Sequence, residues 1–174
     1  MKKLFAIALV SAGLFSSLQS CAQNEDKSKR PSPPAKVSEQ IASGATITID
    51  YSQPSIKGRT IGKDIEPMEG EVWRTGANEA TVFQTDKAIK VGGQTLPAGK
   101  YALFTIFKGD DVTVIFNKTA NQWGAYKYKA EEDALRIKTK ATTASPAAEK
   151  LRFDVSPKAV TFVWGNKKVS FPVS

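Results

Sequence analysis

Histidine is absent from this chain, and cysteine occurs once, at Cys21. Without histidine the commonest general base and the commonest metal ligand are missing, so a Ser-His-Asp hydrolase and a His-ligated metal centre are both excluded. One cysteine near the N-terminus leaves no disulfide, no cysteine-ligated zinc and no cysteine nucleophile in the rest of the chain. Phosphate-loop chemistry is missing as well. Residues 93–100 carry the glycines and lysine, but five residues intervene instead of four. Tyr101 stands where Ser or Thr is needed, and a strand pattern follows where a helix is required. No Ser-x-x-Lys acylation motif occurs. Asp110-Asp111 lacks the further oxygen ligands that a hard cation requires. No cofactor and no metal is expected, and no catalytic residue can be assigned.

Long apolar runs are scarce too. The longest, residues 4–18, follows Lys2-Lys3 and is too short for a membrane span, which needs about 20 residues. It has the anatomy of a secretory signal. It ends in Leu18-Gln19-Ser20-Cys21, which resembles the bacterial lipoprotein processing box, and the chain's single Cys falls where that box requires one. Residues 1–20 therefore read as a lipoprotein signal peptide and Cys21 as the lipidation site. Acyl chains on one residue satisfy the two-signal condition for stable anchoring. No Asp follows the Cys, and Glu25-Asp26 come soon after, so the expected location is the cell envelope, lipid-anchored at the outer membrane, with either face open. Residues 21–43 are rich in Ser, Lys, Pro and Glu and read as a lipidated flexible tether.

What remains, residues 44–174, is dominated by alternation of period two. Ile47, Ile49 and Tyr51 alternate with Thr and Asp; Leu135 and Ile137, then Leu151, Phe153 and Val155, alternate with Arg, Lys and Asp. Further strands are expected over 56–61, 79–85, 88–91, 100–107, 112–117, 159–164 and 168–173. Hairpin turns are expected at 108–111 and 165–167, and one helical turn at 145–149. About ten short strands with minimal helix define an all-β fold, an antiparallel two-sheet sandwich or open barrel. The apolar fraction of 41% is enough for one core.

The densest cluster of site-capable side chains is Trp73-Arg74-Thr75-Gly76-Ala77-Asn78-Glu79-Ala80-Thr81. Read as a four-residue turn over 75–78, it sets Arg74 opposite Glu79, close enough for a bidentate ion pair. The first reading of this stretch is that turn-locking pair; the second is a polar site, with Arg74 for an anion, Asn78 for a hydroxyl and Trp73 as a stacking face. Upstream, Arg59 is a further candidate. Asp50, Glu79, Asp86 and Asp133 offer carboxylates whose separation would decide any glycoside hydrolysis. Trp123, Tyr126 and Tyr128 form an aromatic patch suited to sugar stacking or to a core.

These motifs carry a resemblance. Residues 73–81, Leu96-Pro97-Ala98-Gly99-Lys100-Tyr101 with the residues to Thr105, Asn117-Lys118, Gln122-Trp123-Gly124-Ala125-Tyr126 and Asp133-Ala134-Leu135-Arg136 resemble the bacterial domain-of-unknown-function family 2911, lipoprotein members included. Gln53-Pro54-Ser55 and Gly58-Arg59 fit its start. Glu69-Gly70-Glu71 and Phe107 depart from its pattern at loop edges. The resemblance implies an exported or lipid-anchored protein and assigns no activity.

Net charge is +8, or +6 once the signal leaves with Lys2 and Lys3, and it is spread without a stripe. That disfavours nucleic acid and fits an anionic glycan or an envelope protein as partner, besides the membrane reached through Cys21. The expected function is a non-catalytic ligand- or partner-binding module. An Asp/Glu-dependent hydrolase of envelope glycan and a purely structural envelope protein are the alternatives.

Overall fold

The computed structural model describes residues 26–174; the signal segment and Cys21 lie outside the described residues. Ten strands form among the described residues: β1 (Pro34–Gln40), β2 (Thr46–Ser52), β3 (Val72–Trp73), β4 (Thr81–Thr85), β5 (Ile89–Val91), β6 (Gln94–Leu96), β7 (Gly99–Lys108), β8 (Asp111–Asn117), β9 (Asp133–Ser156) and β10 (Ala159–Pro172). Helix among the described residues is limited to single 3-10 turns at Lys27–Lys29 and Ala130–Glu132.

Alternation places the chain as expected. In β2 the side chains of Ile47, Ile49 and Tyr51 are buried while Asp50 faces water. One antiparallel sheet runs in the order β1-β2-β4-β7-β8-β9-β10, with β3 beside β7, and β5 and β6 form a separate hairpin. The sheet curls until its ends meet. Leu151 N donates to Pro54 O at 3.0 Å and Ala42 N to Pro157 O at 2.8 Å, and the Tyr51 ring stands edge-on to Phe153 at 4.8 Å. Of the two all-β alternatives the open barrel is the one realised, as a half-barrel.

The concave side holds the main core. Edge-to-face or tilted rings connect Phe83 to Phe116, Phe116 to Phe171, Phe153 to Phe162, and Phe162 to Trp73. The convex side carries a smaller cluster of Ala80, Ala102, Phe104 and Ile115. Strand β7 is therefore buried on both faces from Tyr101 to Thr105, because the loops after β3 and after β8 cover its outer side.

Four expectations change. The folded body starts earlier than residue 44, since β1 lies within the stretch read as tether and pairs with β2 from Pro34↔Ser52 to Gln40↔Thr46. Its Ala35 and Val37 pack half-buried on the core, but two such side chains among Pro, Lys, Ser and Glu look like linker composition. Residues 145–149 are not helical but belong to β9; Pro146 sits where the β9–β10 register shifts, a place where a missing N–H is tolerated. Residues 165–167 make no hairpin. Gly165, at φ 59°, is a bulge in continuous β10, and a Cβ there would lie 2.6 Å from Ile61 Cδ1; the turn falls instead at Pro157-Lys158. Residues 56–61 form no strand, because Lys57 and Gly58 are both left-handed and turn the chain. The long loop 53–71 that results forms one wall of the site.

Candidate functional site

Residues 74–80 connect β3 to β4 at one end of the half-barrel. The loop closes through Thr81 N donating to Arg74 O at 3.2 Å. Inside it, Trp73 Nε1 donates to Gly76 O at 3.0 Å and Thr81 Oγ1 to Thr75 O at 2.9 Å. Thr75 is fully buried and left-handed at φ 50°, and Asn78 is left-handed at φ 58°. A β-branched residue in that region is strained. The Thr75 hydroxyl, set between Trp73 O and Thr105 Oγ1, helps hold it there.

The expected four-residue turn clasped by an Arg74–Glu79 ion pair does not form. Residues 78–80 pair instead with the loop after β8: Ala80 N donates to Gln122 O at 2.9 Å and Gly124 N to Asn78 O at 3.0 Å. That pairing sends the Arg74 and Glu79 side chains to different cavities.

Arg74 borders a cavity of about 490 Å³. Arg59, Trp73 and Asn78 border it too, so four of the five expected site residues meet there. Their roles differ from expectation. Trp73 is 1% exposed and packs on Phe107 and Phe162, so it is a floor and not a stacking face. Arg59 is engaged with backbone, donating to Ser55 O at 2.6 Å and Ile56 O at 3.0 Å. Asn78 Nδ2 donates to Ser32 O at 3.0 Å. The Nε of Arg74 is buried and finds no hydrogen-bond partner among the described residues.

Sequence reasoning missed Asp64, Glu66 and Trp164, which complete the wall. Thr60 N donates to Asp64 Oδ2 at 2.8 Å and Met68 N to Glu66 Oε2 at 3.2 Å. Trp164 Nε1 donates to Glu66 O at 2.9 Å across 98 residues of chain. Two acids in a Gly-flanked loop look solvated, and no local pattern signals a contact at that separation.

Glu79 borders a neighbouring cavity of about 250 Å³. Lys27 Nζ donates to it at 2.9 Å, and Arg30 Nη1 lies 3.1 Å from each carboxylate oxygen. Desolvation pushes its carboxyl up, but hydrogen bonds from Lys27, its own backbone N–H and Arg30 outweigh that and hold it down at about 2. The Arg30 guanidinium also lies 5.9 Å from the centroid of the Trp123 ring. Trp123 and Tyr126 are exposed, at 55% and 84%. Tyr128 is not part of an open patch: it packs edge-on to Phe104 and donates to Asp133 Oδ2 at 2.7 Å. Arg136 Nε and Asn117 Nδ2 also bond Asp133, at 2.6 and 2.8 Å, which fixes the loop after β8. Burial and then the Asp133 carboxylate push the Tyr128 hydroxyl up to about 12.

The other carboxylates scatter. Asp50 shares the smaller cavity with Glu79 but pairs with Lys36 at 3.2 Å, and Asp86 accepts from Thr46 N at 2.7 Å. Among the described residues no three or more Asp, Glu, His or Cys side chains gather as a metal site would require. No helix among them is long and apolar enough to cross a membrane.

Fold and site together define an all-β half-barrel domain with a charged cavity roofed by the loops around β3. Residues 32–173 match the model of the DUF2911 family, described as proteins of unknown function, and the chain belongs to that family. No curated protein and no solved structure matches the chain.

Proposed function

We propose that this protein is a lipid-anchored cell-envelope domain that binds a small polar ligand, without turnover, in the cavity bordered by Arg74. The observation that carries the reading is Arg74, which borders a cavity of about 490 Å³, makes no ion pair among the described residues and has a buried Nε without a hydrogen-bond partner among them. A buried donor left unpaired costs about 1–3 kcal/mol, and a guanidinium in a concave site is the group suited to an oxyanion. The cavity volume lies in the range of small-molecule sites. A purely structural role would instead bury Arg74 against Glu79, and that pair is not made.

Binding is favoured over hydrolysis by the state of the acids. Glu79, held at about 2 between two cations, stays ionised at neutral pH and is unsuited to general-acid work. Asp64 and Glu66 each accept a backbone N–H. The anchor rests on Leu18-Gln19-Ser20-Cys21. Asp26 follows Cys21 by five positions, so the domain would ride within about 20 Å of the membrane surface.

Two measurements test this. Membrane fractionation of the full chain should find the wild type with the outer membrane and Cys21→Ser released from it. If both fractionate alike, the anchor is wrong. A thermal-shift screen of residues 22–174 against carboxylates, amino acids and acidic glycan fragments should find compounds that stabilise the wild type and not Arg74→Ala. Equal stabilisation of both proteins would remove Arg74 from the site.

A further inference from the structure

Four charged side chains border the larger cavity, two of each sign, and none of them pairs with another. Arg59 spends its guanidinium on the carbonyls of Ser55 and Ile56. Among the described residues Arg74 makes no ion pair, and neither do Asp64 and Glu66, although all three border the same space. Opposite charges free to move in a shared, partly desolvated cavity would close on each other. Here backbone contacts keep them apart. Asp64 is tied through Oδ2 to Thr60 N and Glu66 through Oε2 to Met68 N, within the turns of the 53–71 loop. Arg74 comes from a different part of the lining, the loop after β3, which is held by the strained Thr75 and the Trp73–Gly76 hydrogen bond. The other oxygens of Asp64 and Glu66 accept no hydrogen bond among the described residues, so each wall keeps unused capacity of its own sign. Half-buried Ile65 and Met68 border the space between.

We infer that the cavity takes a dipolar ligand, an amino acid or short peptide with a free carboxylate on Arg74 and a free ammonium on Asp64 and Glu66. A monoanion would satisfy Arg74 and leave the second oxygens of Asp64 and Glu66 unanswered; a monocation would do the reverse. Only a ligand with both charges answers both walls, and an apolar side chain fits the surface between them. This deepens the binding reading proposed above and rests on it.

The test uses residues 22–174, which keep every described residue and the whole core. The probes are the amino acids with uncharged side chains and their dipeptides, each beside its N-acetyl derivative, which keeps only the carboxylate, and its amide, which keeps only the ammonium. Calorimetric titration should find at least one zwitterion binding about tenfold or more tightly than both of its derivatives, the scale of one charge-assisted hydrogen bond. Arg74→Ala should abolish the preference for the zwitterion over the amide. Asp64→Asn and Glu66→Gln, each checked for an unchanged melting curve without ligand, should reduce the preference over the N-acetyl form. If N-acetyl forms or other monoanions bind as well as zwitterions, the dipolar assignment falls while the binding cavity stands. If nothing in this panel or in the wider anion screen binds, both fall.

Discussion

Gly76 shows how closely the loop after β3 is built. A Cβ at this position would stand 2.8 Å from Thr81 Oγ1 and 3.2 Å from Ser52 O. Thr81 cannot yield without releasing its bond to the carbonyl of strained Thr75. Gly76→Ala should therefore cost about 2 kcal/mol of unfolding free energy, read by urea denaturation; a change within a few tenths would mean the loop relaxes freely. At this scale the sequence was informative about identity and poor about role. Arg59, Trp73, Arg74 and Asn78 stand out as polar or aromatic groups around turns, and they do meet. That Arg74 turns away from Glu79 depends on Ala80 and Gly124 pairing across the two loops, which no spacing within 73–81 encodes.

Among the elements, the segment before β1 behaves as a strap. Lys27 and Arg30 reach Glu79, and Ser32 O accepts from Asn78, so residues 27–32 lie across the loop that walls the larger cavity. The Glu79 carboxyl is lowered from its ordinary 4.5 to about 2. A carboxyl depressed on folding stabilises the folded state fully above its unfolded value and loses that contribution as pH falls through the folded one. The strap contact should thus hold above about pH 4.5 and weaken from there down to about 2. Trp73 and Trp164 are buried and Trp123 is exposed beside Arg30, so a water-borne quencher reports Trp123. Quenching should change over that pH window in the wild type, while Glu79→Gln should already show the acid-state value at neutral pH; identical behaviour of the two proteins would show that Glu79 does not hold the strap. Strands with clean alternation, such as β2 and the start of β9 around Leu135 and Ile137, were legible because one face is buried along them and the other faces water. β1 was hidden because it is an edge strand with Pro and Lys, and residues 145–149 misled because Ser-Pro suits a helix start as well as a register shift.

For the molecule as a whole, the all-β class followed from alternation and turn spacing, but the curl did not. It is made by contacts nearly a hundred residues apart, Gln53 Nε2 to Leu151 O and Tyr51 against Phe153. The ring chain across the concave core closes it, so Phe162→Ala, at 1% exposure and touching both Trp73 and Phe153, should cost about 3–5 kcal/mol. Tyr126→Ala, at 84% exposure, should stay within about 0.5 kcal/mol. Comparable losses would mean the core is not where the rings meet. The proposed binding role sets a further condition on the whole domain: a charge kept without a partner among the described residues, in wait for a ligand, would lower the stability of the ligand-free fold. The measurement that tests this most directly is the unfolding free energy of Arg74→Met beside wild type, each with and without a ligand that stabilises the wild type. Methionine keeps the apolar stem and removes the unpaired donor. The ligand-free variant should gain on the order of 1 kcal/mol while its response to ligand disappears. A ligand-free variant that loses stability, with its ligand response intact, would show Arg74 to be a structural strut and contradict the account.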